Sequence, residues 1–199
     1  MTILAFYVII GSQNCREFVT ILTKNKTRER ITVMRNSATR KRILYICQSG
    51  LIAAIYTVLT VFVGSFGLAS GAVQLRISEA LCVLPFFTPA AIPGLTIGCL
   101  LSNLLLGGIW QDILFGTLAT FIGAVGARML KRIPWLVPLP TVAANTVIVP
   151  FVLAYAYHME EGLAFLMLTV GLGEVISAYV LGMILLGTLK KYQRFLFLE

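Results

Sequence analysis

Long apolar runs dominate the chain from Ile43 onward, broken at short intervals by Gly, Pro and clusters of charge. Their lengths predict six membrane-crossing helices, at about 43–63, 73–87, 91–107, 110–129, 135–157 and 162–189. A helix needs about 20 residues to cross the roughly 30 Å hydrocarbon core, so the second run is short for a span. The connections carry turn chemistry. Residues 64–76, GSFGLASGAVQLR, are Gly-rich and low in charge, and could close as a lid. Pro85, Pro89 and Pro93 mark a turn, and Gly107 and Gly108 lead tightly into Trp110, Gln111 and Asp112. Pro138, Pro140 and Pro150 can kink the fifth run, and HMEEG at 158–162 joins it to the sixth.

Small residues recur four apart within these runs: Gly50 and Ala54, Gly94 and Gly98, then Ala119, Gly123 and Ala127. That spacing lets membrane helices approach closely. Packing inside the bundle is one reading. For Gly50 and Ala54 the other is contact with a separate membrane partner.

The N-terminal region follows a different pattern. Met1–Ile10 is apolar but too short to span, and it lacks the basic start of a signal peptide. A basic stretch runs from Arg16 to Arg42. Met34 lies inside it, so residues 1–33 are either an upstream extension or a cytoplasmic or interfacial tail. The organisation expected is a basic cytoplasmic segment at 1–42, a six-helix membrane domain at 43–190 and a cytoplasmic tail at 191–199.

Composition excludes a soluble globular domain. Of the 199 residues, 58% are hydrophobic and 12% charged, against about 45–50% and about 25% in soluble domains. The mean hydropathy is +0.91. The net charge of +8 could suggest nucleic acid, but its placement points to a membrane. Of sixteen Lys and Arg, nine precede the first long run, three sit at 128–132 and three at 190–194. Only Arg76 stands apart. The positive-inside rule then puts both termini in the cytoplasm, with Trp110 and Trp135 at opposite interfaces. The four cysteines form no CxxC pair and are read as small buried hydrophobes.

Polar residues within the spans are the candidate chemistry. Glu174, in VGLGEVISA, is an acid near mid-span, which costs roughly 2.5–3.5 kcal/mol to insert. It is read as a solute contact or as a structural partner of Arg76. On a regular helix it shares a face with Gly171 and Ala178. Glu79 lies three residues after Arg76, where a local ion pair is the competing reading. Asn103 and Asn145 are amides inside apolar runs, either helix glue or site residues, and Thr141 shares the face of Asn145. Acids outnumber bases in the outer half, where Asp112, Glu160 and Glu161 join Glu79 and Glu174, a balance that favours a cationic or donor-rich solute. Arg128 can snorkel to the inner interface. The sequence holds no GxxxxGK[ST], no HExxH and no GxSxG, so ATP hydrolysis, zinc hydrolysis and serine hydrolysis have no support. No metal or cofactor site is expected, and the protein is read as a non-enzyme.

The block SEALCVLPFFTPAAIPGLTIGCLLSNLLLGGIWQDILFGTLATFIGA at 78–124 resembles the QueT family of queuosine-precursor transporters. WLVPLPTVAANTVIVPFVLA at 135–154 and VGLGEVISAYVLG at 170–182 extend the resemblance. It implies an all-α, six-transmembrane S component of an energy-coupling factor importer in the plasma membrane. Its implied partners are a T transmembrane subunit, two ABC-type ATPases and a 7-deazaguanine such as queuine or an aminomethyl form. Glu79, Asn145 and Glu174 are then expected to line the solute pocket, supported by Arg76, Asn103 and Asp112. Aromatics such as Phe86 or Tyr179 would stack on the ring, and Gly50 and Ala54 would meet the T subunit. The alternatives are an S component for another vitamin, or a structural membrane protein without a solute.

Overall fold

The structure, a computed structural model, describes residues 37–65, 76–157 and 162–192. Every regular element among them is helical: α1 (Ser37–Ser65), α2 (Ile77–Phe86), α3 (Ala91–Leu105), α4 (Trp110–Met129), α5 (Leu139–Tyr155) and α6 (Leu163–Lys191). The helical stretches at Thr39–Ser65, Trp110–Met129, Pro134–Tyr155 and Leu163–Lys191 are long and apolar enough to cross a membrane. α2 and α3 are shorter. The candidate lid, apart from its two ends, and His158, Glu160 and Glu161 lie outside the described residues.

The short second run becomes a ten-residue 3-10 helix at the centre of the bundle. A 3-10 helix rises about 2.0 Å per residue against about 1.5 Å for an α-helix, so ten residues stretch to about 20 Å. Ser78 through Pro85 are all buried, because α1, α3, α4 and α6 surround them. A helix apolar on all sides belongs in an interior, which removes the need for a full-length span.

Glycine governs how closely the other helices approach. On α3, a Cβ at Gly94 would lie 2.9 Å from Ser49 O, and one at Gly98 would lie 2.8 Å from Tyr56 Cβ. On α4, a Cβ at Gly123 would meet Thr141 Oγ1 at 2.6 Å, and one at Gly126 would meet Pro140 Cβ at 2.5 Å. Two of the three small-residue motifs therefore close contacts within the chain. The third does not: Gly50 and Ala54 are exposed, and a Cβ at Gly50 would meet nothing within 4 Å. α1 buries Ser49, Ala53, Tyr56, Thr60 and Val63, and turns Ile46, Gly50, Ala54 and Val58 outward.

The two ends of the bundle differ in charge. Arg128 on α4 donates to Pro85 O (2.9 Å) and Phe86 O (3.3 Å), closing the C-terminal end of α2. Lys190 lies 5.8 Å from the centroid of the Phe86 ring. At the same end Ser49 Oγ donates to Ala90 O (3.0 Å). Eight of the nine described Lys and Arg residues gather here, and Arg76 lies at the other end. Trp110 and Trp135, both more than half exposed, sit at opposite ends.

The surface between the ends is apolar. Val58, Leu104, Leu118, Val147, Leu168 and Ile184 are all exposed, whereas Glu79, Asn103, Asn145 and Glu174 are buried. Water would favour the reverse arrangement. Lipid accepts this one, since polar groups there must turn inward.

Candidate solute site

Glu79, Asn103, Asn145 and Glu174 are buried inside the bundle with Arg76 at the end away from the basic one, whereas buried Ser49 and Thr88 lie at the basic end. α2 starts the site: Glu79 N–H donates to Arg76 O at 2.9 Å, which opens the 3-10 turn and draws the two residues together. Glu79 is 1% exposed. Tyr56 of α1 donates its hydroxyl to Glu79 Oε1. One turn further along α1, Thr60 donates its hydroxyl to Tyr56 O (2.8 Å), and its Oγ1 shares a 2.7 Å hydrogen bond with Ser78 Oγ, in which it accepts. Consecutive residues of α2 are thus tied to α1 by side-chain hydrogen bonds.

Glu174 enters from α6, which here departs from α-helical geometry. Val175–Val180 forms a π-helical turn directly after Glu174. Such turns recur at functional sites because they shift the register of inward-facing side chains. Glu174, Ser177 and Ala178, at positions i, i+3 and i+4 of one helix face, are all buried, Ser177 at 1% exposure. Gly171 is half-buried and opposes Thr146 of α5. Cys82 Sγ of α2 donates to Ala178 O at 3.7 Å and holds the π-turn against the central helix.

Asn145 of α5 approaches Glu174 without reaching hydrogen-bond geometry: both of its amide atoms and Glu174 Oε2 have no partner. Thr141 Oγ1, one turn away, and Ser177 Oγ are also buried and unpartnered, as are Thr117 Oγ1 and Thr146 Oγ1. Leaving such a group unsatisfied costs about 1–3 kcal/mol, and more when it carries charge. Glu79, Glu174 and the Arg76 guanidinium lie within electrostatic range of one another. Two buried acids and one half-buried base therefore lie in one another's fields.

The remaining predicted residues take other places. Asn103 is buried on α3, with its Nδ2 donating to Cys99 Sγ at 3.6 Å and packing beside Gly116 of α4. It borders the cluster through Cys99, which lies within electrostatic range of Arg76 and Glu79. Asp112 is half-exposed at the rim, where Tyr157 donates to its Oδ2 at 3.1 Å. Burial, and after it the Asp112 carboxylate, pushes the Tyr157 phenol above its usual range. Phe86 corrects an expectation. It lies at the basic end between Lys190 and an edge-to-face contact with Phe87, away from the acids. Its place as the last residue of α2 carries it there.

Sequence reasoning missed Tyr56, Ser177 and Cys99. The signal for Tyr56 was present: Ser49, Ala53, Tyr56 and Thr60 follow helical spacing along one face of an apolar run. Among the described residues, no three His, Cys, Asp or Glu side chains cluster as a metal ion would require.

The family model for the QueT transporter matches residues 46–191. A relative, the queuosine precursor transporter QueT of Lactococcus lactis subsp. cremoris (strain MG1363), is 38% identical over 72 residues. That alignment covers 36% of this chain and 42% of the relative, so it spans less than half the relative's length. No solved structure matches the chain. Because the family model takes in nearly the whole described bundle, from α1 to the end of α6, the chain belongs to the QueT transporter family.

Proposed function

We propose that this chain is the solute-binding membrane subunit of an importer for a queuosine precursor, a 7-deazaguanine such as queuine or an aminomethyl form. The observation that carries this reading is the pairing of Asn145 and Glu174, buried face to face inside the membrane with polar atoms that no protein group satisfies. A guanine-like edge offers adjacent N–H donors, which a carboxylate accepts, and a ring carbonyl, which an amide donor meets. Glu79 supplies a second acid for a cationic aminomethyl group, with Arg76 balancing the charge. Asn103 supports the wall and Asp112 the rim. The name of the Lactococcus relative agrees with this solute.

The same reading extends to topology and partners. The basic end faces the cytoplasm, all six helices belong to the membrane unit, and the solute enters from the opposite side. With no phosphate-binding loop in the sequence, energy comes from elsewhere: a T transmembrane subunit and two ABC-type ATPases. The exposed Gly50–Ala54 face of α1 is the contact for the T subunit.

Thermal unfolding of the purified protein with a panel of deazapurines and vitamins tests the assignment. A solute bound to the native state raises the melting temperature by mass action. A shift with 7-deazaguanines alone supports the reading. A shift only with another vitamin reassigns the solute, and no shift with any member removes the binding function.

A further inference from the structure

Arg76 stands just before α2, half-buried, with a backbone that is not yet helical (φ −104°, ψ 86°). Its guanidinium lies within electrostatic range of a titratable group from every helix or its end: Tyr56 on α1, Glu79 on α2, Cys99 on α3, Asp112 on α4, Tyr157 just after α5 and Glu174 on α6. A side chain within reach of all six lies near the axis of the bundle. The three acids among the described residues, Glu79, Asp112 and Glu174, all stand in its field. The buried acids still keep accepting capacity that this cation does not fill. Glu174 is 5% exposed and its Oε2 has no partner, while Oε1 of Glu79 takes its hydrogen from Tyr56.

A guanidinium and the donor edge of a guanine-like ring are chemically alike. Each is planar and presents adjacent N–H groups, which a carboxylate accepts in pairs. Acids placed to receive one are placed to receive the other. Buried carboxylates left with no cation or donor would be costly, so in the absence of a solute the nearby base has a task.

From this we infer that Arg76 is a built-in stand-in for the solute: its guanidinium neutralises Glu79 and Glu174 in the solute-free protein, and the donor edge of the solute displaces it. The inference rests on the proposed solute-binding function and makes Arg76 a competitor of the solute rather than a contact to it. A long side chain on a non-helical residue is free to withdraw toward the rim, where Asp112 holds a half-exposed carboxylate. Displacement lowers the apparent affinity by the fraction of molecules in which the acids are free. It also adds selectivity, because a flat ring without a donor edge cannot replace the guanidinium.

Arg76→Gln removes the internal cation, and stability and affinity should then move in opposite directions. The solute-free variant should melt lower, since two buried acids lose their balancing charge. Affinity for an aminomethyl 7-deazaguanine, measured by calorimetry on the full chain in detergent, should rise about tenfold or more, because nothing has to be displaced. Lower melting with unchanged affinity would make Arg76 purely structural, and lower affinity would make it a solute contact. Either result overturns the inference and leaves the proposed function intact. Should Arg76→Gln fail to fold, Arg76→Lys keeps the charge and loses the planar fork, so affinity should still rise, by a smaller factor. Unchanged or lower affinity in that variant overturns the inference too. Methylguanidinium chloride gives a reading without the solute. It should raise the melting temperature of Arg76→Ala, but not of the wild type, above that in equal potassium chloride. No such difference also overturns the inference. If the wild-type chain binds no 7-deazaguanine, the proposed function and this inference fall together.

Discussion

Tyr56 on α1 donates its phenolic hydrogen to Oε1 of Glu79 on α2, and both side chains are 1% exposed. The bond joins residues 23 positions apart across a Gly-rich connection. It gives a buried carboxylate a donor where water is absent, and it fixes the rotation of the central helix relative to α1. Replacing Tyr56 by Phe keeps the ring and removes the donor. The Glu79 carboxylate then loses a buried partner, at a cost of about 1–3 kcal/mol. A lower melting temperature for Tyr56→Phe, largely restored in the double variant Tyr56→Phe with Glu79→Gln, is the expected outcome. Additive losses would show that the two side chains act independently.

The glycines of α1 and α3 should respond oppositely to bulk. Gly98→Leu drives a side chain into Tyr56 Cβ and Ala53 O, where a Cβ already sits at 2.8 and 3.0 Å. Overpacking of that kind costs about 1–3 kcal/mol. Gly50→Leu meets open space and should leave melting temperature and solute binding unchanged. It should instead weaken co-purification with the T subunit. Normal assembly of Gly50→Leu would remove that face from the partner contact.

Arg128 acts as a clamp. Its guanidinium satisfies two carbonyls at the end of α2, where the helix has no continuing N–H groups to offer. Arg128→Ala should cost about 1–3 kcal/mol, read as earlier unfolding in a denaturant series. Arg128→Lys retains the charge but loses the planar fork, and should recover only part of the loss. Full recovery would mean that charge alone matters.

Orientation is open to direct chemical test. A single cysteine placed at Arg132 should be protected from a membrane-impermeant thiol reagent added to intact cells, and one placed at Glu160 should react. Reaction at 132 without reaction at 160 would invert the bundle.

Much of this architecture is legible in the sequence because a membrane simplifies the physics. Hydropathy alone marks the helices, since each span must satisfy its backbone internally and face lipid with apolar side chains. Gly94, Gly98 and Gly123 announce close approaches by spacing. Glu174 and Asn145 stand out because each is costly inside an apolar run. What stays hidden depends on relations between helices. The 3-10 geometry of α2 follows from its enclosure by four neighbours, which a local pattern does not encode. The Tyr56–Glu79 bond depends on how α1 and α2 rotate against each other. Arg128 reads as a snorkelling surface residue until the carbonyls of Pro85 and Phe86 arrive beside it. The π-turn after Glu174 has no composition signal, whereas Ser177, three residues on, shares the helix face of Glu174 and was legible from spacing.

The central claim is that Glu174 accepts hydrogen bonds from the solute. Glu174→Gln keeps the shape of the side chain and exchanges one acceptor oxygen for a donor. The fold should survive, because an amide is easier to insert than a carboxylic acid group that must be paired. Calorimetry with a 7-deazaguanine on the wild type and on Glu174→Gln decides the matter. The account predicts a loss of at least tenfold in affinity at an unchanged or higher melting temperature. Equal affinities would take Glu174 out of the site and leave its field interaction with Arg76 as the reason for its burial.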